Sequence, residues 1–266
     1  MRVLIKLGGS LLDSDASRLR LAGEIAEVAQ EGHEVVVVHG GGKQMTRFLA
    51  ERGVESRFVA GLRVTTSETI DAVLKVLAGS VNKQLVASLI QAGANAVGLS
   101  GIDACLVEAQ PLREELGAVG RPTAVRSELL TLLTEHGYLP VVACVAGDRA
   151  GRIYNVNADQ MAAACAAGFG AEQLLFLTDV DGVLGPDNRV VPLLTAKDCE
   201  DLIARGVATG GMQAKLNSAI EALRGGVSQV VIAAGSGERP IGRLIDGESL
   251  GTRLMAAGGE IERHAR

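Results

Sequence analysis

Short runs of aliphatic and β-branched residues alternate with helix-like spacings along nearly the whole chain. Val3–Leu7 is one such run, interrupted by a single charge, and after Gly8-Gly9-Ser10 apolar residues recur with a helical period at Leu19, Leu21, Ile25 and Val28. Val35–Val38 is a second run, closed by His39-Gly40-Gly41-Gly42 and followed by a helix over about Gln44–Arg52. A helix through Val81, Leu85, Leu89 and Ile90 leads to a run at Ala96–Leu99, and further runs lie at Pro140–Val145, Gln173–Leu177 and Gln229–Ala233. Runs that are apolar at every position belong to strands buried on both faces. The pattern therefore predicts an α/β fold, an open, mainly parallel sheet with helices on each side.

Two stretches break the rhythm. Cys105–Ala109 and Ala118–Arg126 read as antiparallel excursions before a helix near Ser127–His136, and Ala146–Asn155 carries hairpin-like punctuation at Gly147-Asp148 and Ala150-Gly151. No linker rich in Pro, Ser or Gly stands out. The expected division into residues 1–170 and 171–266 falls in a tight loop near residue 170.

Composition narrows the function classes. The 266 residues include 4 Phe, 2 Tyr and no Trp, so the core must be aliphatic, and the stacking platforms of single-strand nucleic-acid binders are missing. A net charge of −5 attracts neither polyanions nor anionic membranes, so an anionic ligand must be held by local donors. Cys105, Cys144, Cys165 and Cys199 form no C-x-x-C pair and the histidines no H-E-x-x-H, which speaks against a zinc site or a disulfide framework. The N-terminus enters a strand without a signal-peptide h-region, and the longest uncharged stretch, Gln84–Ile102, is broken by polar residues. A cytoplasmic protein without nucleic-acid or membrane partners is expected.

Candidate chemistry gathers at strand ends. Glycine clusters follow three predicted strands (Gly8-Gly9, Gly40-Gly41-Gly42, and Gly98 with Gly101), where backbone N–H groups and helix N-termini favour phosphate or carboxylate. Neither G-x-G-x-x-G opening a helix after a strand nor G-x-x-x-x-G-K-[ST] is present, which disfavours a dinucleotide oxidoreductase and a P-loop NTPase. Lys6 sits inside a strand that should tolerate no charge, so it must reach solvent at the strand end or meet an anion. Asn155-Val156-Asn157-Ala158-Asp159-Gln160 holds more amide and acid groups than one helix cap requires. Asp179-Val180-Asp181-Gly182 is an acidic turn at a strand end, either an ordinary turn or one facing a nucleotide and its metal. Thr209-Gly210-Gly211 can open a helix that carries Lys215 about one turn in.

Together these pieces resemble the amino acid kinase superfamily and, within it, the acetylglutamate kinases. The resemblance runs in order from Lys6-Leu7-Gly8-Gly9-Ser10 through His39-Gly40-Gly41-Gly42, Gly61-Leu62-Arg63-Val64-Thr65, Asn82-Lys83, Ala96–Gly101, Asn155–Gln160, Thr178–Val183 and Gly211-Met212 with Lys215 to Gly251-Thr252-Arg253-Leu254. It implies a three-layer αβα sandwich whose N-terminal part binds the acyl amino acid and whose C-terminal part binds ATP. The implied reaction moves the γ-phosphoryl group of ATP to the side-chain carboxylate of N-acetyl-L-glutamate, in arginine biosynthesis.

By the same resemblance, Lys6 and Lys215 stabilise the transferring phosphoryl group and Asp159 holds both lysines. Backbone N–H groups of Gly8, Gly9, Gly41 and Gly42 contact phosphate or the attacking carboxylate, while Arg63 and Asn155 bind the amino-acid substrate. Thr178, Asp179, Val180, Asp181, Gly182, Val183 and Leu184, with Val207, Ala208 and Thr209, line the nucleotide pocket. Mg²⁺ rides on the ATP phosphates rather than in a protein cage. Members inhibited by arginine carry an extra N-terminal helix that helps build a hexamer; this chain starts in its first strand, so an arginine-insensitive homodimer is expected.

Two competing functions share these elements. One is a sister kinase acting on carrier-linked glutamate or aminoadipate in lysine biosynthesis. The other is a nucleotide-binding regulator without catalysis, against which Lys6, Asp159 and Lys215 argue jointly, since a sensor needs only the pocket.

Overall fold

The computed structural model of the chain describes residues 1–59 and 61–255. Residues 256–266, the end of the expected C-terminal part, lie outside them. In order, the first half comprises β1 (Arg2–Leu7), α1 (Asp15–Gln30), β2 (Glu34–His39), α2 (Gly42–Ala50), β3 (Phe58–Val59), β4 (Leu62–Arg63), α3 (Ser67–Val73), α4 (Asn82–Gln91), β5 (Ala96–Ser100), β6 (Val107–Pro111), β7 (Val119–Val125), α5 (Glu128–Glu135) and β8 (Leu139–Ala143). There follow β9 (Val145–Gly147), β10 (Ile153–Val156), α6 (Ala158–Phe169), β11 (Gln173–Thr178), β12 (Leu193–Thr195), α7 (Ala196–Ala204), α8 (Gly210–Arg224), β13 (Gln229–Ala234), α9 (Pro240–Ile245) and β14 (Thr252–Met255).

Eight strands form one open sheet in the order β12-β14-β13-β11-β1-β2-β8-β5. Every pairing is parallel except β13 with β14. The chain lays β2 and β8 on one side of β1 and β11 on the other. The order reverses at β1, the place where open α/β sheets leave a crevice beyond their strand ends.

The alternation of side chains along β1 decides what each face packs. Val3, Ile5 and Leu7 enter a cluster with Leu21 and Ile25 of α1, Met45 and Leu49 of α2 and Leu85 and Leu89 of α4. Leu4 points the other way, into a cluster with Met161, Cys165 and Phe169 of α6 and Leu216, Ala219 and Ile220 of α8. This gives the expected sandwich, a sheet with helices on both faces. A period of two puts Lys6 on the same face as Leu4, toward α6 and α8.

The irregular stretches fold as a separate closed set of four strands, β10-β7-β6-β9. β6 and β7 are antiparallel, as the sequence predicts, and β9 and β10 form the expected hairpin. The predicted run Pro140–Val145 divides between two sheets: β8 stops at Ala143 and β9 begins at Val145.

Between α3 and α4 the helix continues through a π-helical stretch, Leu74–Val81. The combined helix Ser67–Gln91 is long and apolar enough, by length and composition, to cross a bilayer. Its Val73, Val76, Leu77, Val81, Leu85 and Leu89 pack into the sheet cluster, the arrangement of a core helix. The sequence pattern alone does not show this stretch as one helix.

Candidate active site

The face chosen for Lys6 meets two helix N-termini. Asn157 caps α6, accepting from the backbone N–H groups of Asp159 and Gln160 with its side-chain oxygen. That cap sets Asp159 in the first turn of α6, where a negative charge is favoured. Thr209 precedes α8, and Lys215 lies on its buried face. The Lys6 ammonium lies 2.8 Å from Asp159 Oδ1, and the Lys215 ammonium 3.1 and 3.0 Å from Oδ1 and Oδ2. The three residues are 6%, 8% and 7% exposed, in the order Lys6, Asp159 and Lys215.

Two cations on one carboxylate leave a net positive charge in a nearly dry place. Burial alone would raise the Asp159 carboxyl, but the charges and hydrogen bonds of Lys6 and Lys215 outweigh it and hold Asp159 below the usual carboxylate range. The Lys215 ammonium moves down because it is desolvated and faces Lys6, with Asp159 opposing both effects. It also lies 5.3 Å from the Phe176 ring centroid, a cation–π contact that suits a buried ammonium. A surplus cation in such surroundings is a site for a third, anionic group.

The two glycine turns meet at the end of β1, the strand that carries Lys6. A Cβ on Gly9 would lie 3.0 Å from the Gly42 nitrogen and 3.1 Å from the Gly41 nitrogen, backbone against backbone, so only glycine fits. The N–H groups of Gly9, Gly41 and Gly42 have no acceptor among the described residues. Gly8 differs from the sequence reading: its N–H is spent on the Leu177 carbonyl at 3.0 Å, tying β1 to β11, so it has no free donor for phosphate.

Arg63 and Asn155, remote in sequence, line one cleft with Gly40–Gly42, Leu77, Val119 and Cys144. The Arg63 guanidinium donates to Ser56 Oγ, to the Gly42 carbonyl at 3.1 Å and to Thr46 Oγ1 at 2.7 Å, and it stacks 4.7 Å from the Phe58 centroid. The Asn155 amide donates to Thr65 Oγ1 at 3.0 Å, and that hydroxyl donates to the Arg63 carbonyl at 3.1 Å. Thr65 thus couples the two residues while being fully buried itself. Its membership in Gly61-Leu62-Arg63-Val64-Thr65 is the signal that could have singled it out.

The acidic turn after β11 opens on the same region. Asp179 is exposed and shares a hollow with Gly9, Ser10, Gly42, Lys43 and Arg63. Partial burial pulls its carboxyl up, but hydrogen bonds from its own backbone, Thr178 and Ser10, with the Lys43 charge, hold it below the ordinary range. Lys43 and Ser10 are not in the sequence-predicted set, although both adjoin its glycines. Val180, Asp181 and Leu184 are exposed, Thr178 is buried and Gly182 packs against Thr252. Val183 is wholly buried, its side chain in the core, and its backbone N–H donates to Thr252 Oγ1 at 2.8 Å, bracing the turn. Of the last segment, Ala208 is buried and Val207 packs on the core, while Thr209 is exposed ahead of α8.

Comparison with known proteins identifies the family and the fold. The amino acid kinase family matches residues 1–234. An acetylglutamate kinase of Solibacter usitatus is 63% identical over 257 residues, covering 97% of this chain and all of the relative, and one of Geobacillus kaustophilus is 46% identical over 88% of this chain and 90% of its own. Among solved structures, an N-acetylglutamate synthase from Neisseria gonorrhoeae, complexed with coenzyme A and N-acetyl-glutamate, superposes with a TM-score of 0.83 at 25% identity. That match covers 96% of this chain but 59% of the longer one. A carbamate kinase from Giardia lamblia bound to AMP-PNP shares the fold, with a TM-score of 0.71 at 18% identity over 96% of this chain and 98% of its own.

Proposed function

Since the chain belongs to the amino acid kinase family, within its acetylglutamate kinase branch, we propose that it transfers the γ-phosphoryl group of ATP to the side-chain carboxylate of N-acetyl-L-glutamate. The product is N-acetyl-L-glutamyl 5-phosphate, the activated acyl group used in arginine biosynthesis. The single observation that carries the reading is the buried Lys6–Asp159–Lys215 cluster with its surplus positive charge.

A carboxylate oxygen attacks the γ-phosphorus, the bond from that phosphorus to the β,γ-bridging oxygen breaks, and ADP leaves with the electron pair. The nucleophile is ionised near neutral pH, so no general base is required. What must be overcome is the repulsion between two anions as charge spreads over the phosphoryl oxygens. Lys6 and Lys215 neutralise that charge, and Asp159 keeps the two ammonium groups together. The free N–H groups of Gly9, Gly41 and Gly42 add preorganised donors. Arg63 and Asn155 hold the α-carboxylate and N-acetyl end of the acceptor, and the Asp179–Leu184 turn with Val207–Thr209 borders the nucleotide.

Mg²⁺ fits this donor set as a companion of ATP. No group of three or more His, Cys, Asp or Glu side chains able to hold a metal occurs among the described residues, and Asp179 lines a hollow with Gly9 and Gly42. When bound, the ion would offset phosphate charge. In this reading residues 1–170 contribute the acceptor site and residues 171–266 the nucleotide site. On the same reading the protein works in the cytoplasm as a homodimer.

The test is trapping of acyl phosphate with hydroxylamine, with ATP·Mg²⁺ and N-acetylglutamate, glutamate or aminoadipate supplied in parallel. Hydroxamate from N-acetylglutamate is expected. Hydroxamate from an unacetylated acid alone would refute the acceptor assignment.

A further inference from the structure

A buried polar cluster lies directly behind the second glycine turn. His39, at the end of β2, and Asn82, at the start of α4, are both 0% exposed. His39 Nδ1 is 2.9 Å from the Gly40 carbonyl oxygen, and His39 Nε2 is 3.1 Å from Asn82 Nδ2. The same Asn82 amide donates to the Val141 carbonyl at 2.9 Å. Turning that amide over would set its oxygen against the Val141 carbonyl, so its orientation is fixed. The amide nitrogen also lies 3.4 Å from the Leu99 carbonyl, but the Gly40 carbonyl facing Nδ1 can only accept, so Nε2, facing a donor group, is the bare nitrogen. The proton sits on Nδ1, which donates to Gly40. Burial keeps the ring neutral, with a pKa brought down to about 4.

The carbonyl of Gly40 and the N–H of Gly41 belong to one planar trans peptide and point in opposite directions. A carbonyl held from behind therefore turns the Gly41 N–H forward, to the side where Gly9 lies. The Leu77 side chain packs close against the turn, since a Cβ on Gly41 would come to 2.5 Å from Leu77 Cδ2. The Gly40 N–H is fixed on the Leu7 carbonyl at 3.1 Å, and Cys144 Sγ donates to the His39 carbonyl at 2.9 Å.

We propose that His39 and Asn82 are positioning residues: Asn82 fixes the His39 tautomer, and the His39 Nδ1–H bond to the Gly40 carbonyl aims the Gly41 N–H at the group being transferred. The inference rests on the reading that the glycine turns meet the phosphoryl group. It gives a histidine with no role as acid or base a place in catalysis through a peptide plane.

Two measurements test it. Imidazole ¹⁵N NMR of the wild-type protein should show His39 with Nδ1 protonated and Nε2 bare at neutral pH, and the opposite tautomer would overturn the proposal. In steady-state kinetics His39→Leu should lower kcat by roughly 10²-fold, the scale of a misaimed catalytic group, with the KM for ATP unchanged. His39→Asn, whose amide can still donate to Gly40, should recover most of that loss. Wild-type kcat in His39→Leu, or an Asn variant no better than the Leu variant, would sink it. Should neither variant fold, the tautomer decides alone. A wild-type protein that fails to phosphorylate N-acetylglutamate would remove the underlying reading, while the NMR result would still judge the hydrogen-bond geometry.

Discussion

Lys6 and Lys215 share one carboxylate: Lys6 lies 2.8 Å from Oδ1 of Asp159, and Lys215 spans both oxygens at 3.1 and 3.0 Å. Two like charges are thereby fixed at short range, with one counter-charge between them.

Removing either cation should be felt in the chemical step. Lys6→Ala and Lys215→Ala are each expected to lower kcat by roughly 10²–10³-fold, the usual loss for one preorganised donor. Turnover near wild type in a folded variant would take that lysine out of the site.

Asp159→Asn should reduce turnover more than ATP affinity, because it leaves two buried ammonium groups facing each other. Stability should respond with a defined sign. The Asp159 carboxyl is held below its unfolded value, so its contribution is complete above the unfolded pKa of about 3.9 and is lost as pH falls through the folded value. Denaturation at neutral and acid pH should show the gap between wild type and Asp159→Asn shrinking in acid. A gap independent of pH would contradict the assignment.

Gly9→Ala tests the contact between the two glycine turns. The added methyl would press on the Gly41 and Gly42 nitrogens at 3.1 and 3.0 Å and force the turns apart. The turns must give by a few tenths of an ångström, so a fall in kcat is expected, smaller than that of the lysine variants, with the circular dichroism unchanged. Full activity would show that the turns need not touch.

Arg63→Ala should raise the KM for the amino-acid substrate and leave the KM for ATP nearly unmoved. Arg63→Lys should not restore it, since a lysine cannot reproduce bonds to Ser56, Thr46 and the Gly42 carbonyl together. Thr65→Val should raise the same KM by freeing Asn155 from its hydroxyl partner. An effect confined to the KM for ATP would move Arg63 to the nucleotide side.

Much of this was legible in one dimension, and where it was not the reason is physical. Lys6 stood out because a charge inside an all-apolar strand demands a partner, and Lys6 does pair with Asp159. The group Asn155–Asp159 carried too many polar side chains for a cap alone; the fold divides them into a cleft residue, a cap and a counter-ion. Gly8 could not be told from Gly9, because which N–H is already bonded depends on β11, far along the chain. Val183 entered the expected nucleotide lining only through the resemblance, and its alternation into the core depends on packing far along the chain. His39 and Asn82 gave no sign of their pairing, which requires β2 and the long helix to pack together.

The cluster takes its members from near both ends of the chain, and this orders its assembly during synthesis. Lys6 leaves the ribosome first, Asp159 much later, and Lys215 only when most of the polypeptide has been made. A shortened product ending before α8 would lack Lys215, and with it the surplus charge that draws in phosphate. Competence as a catalyst therefore arrives late and all at once, when the last cation docks.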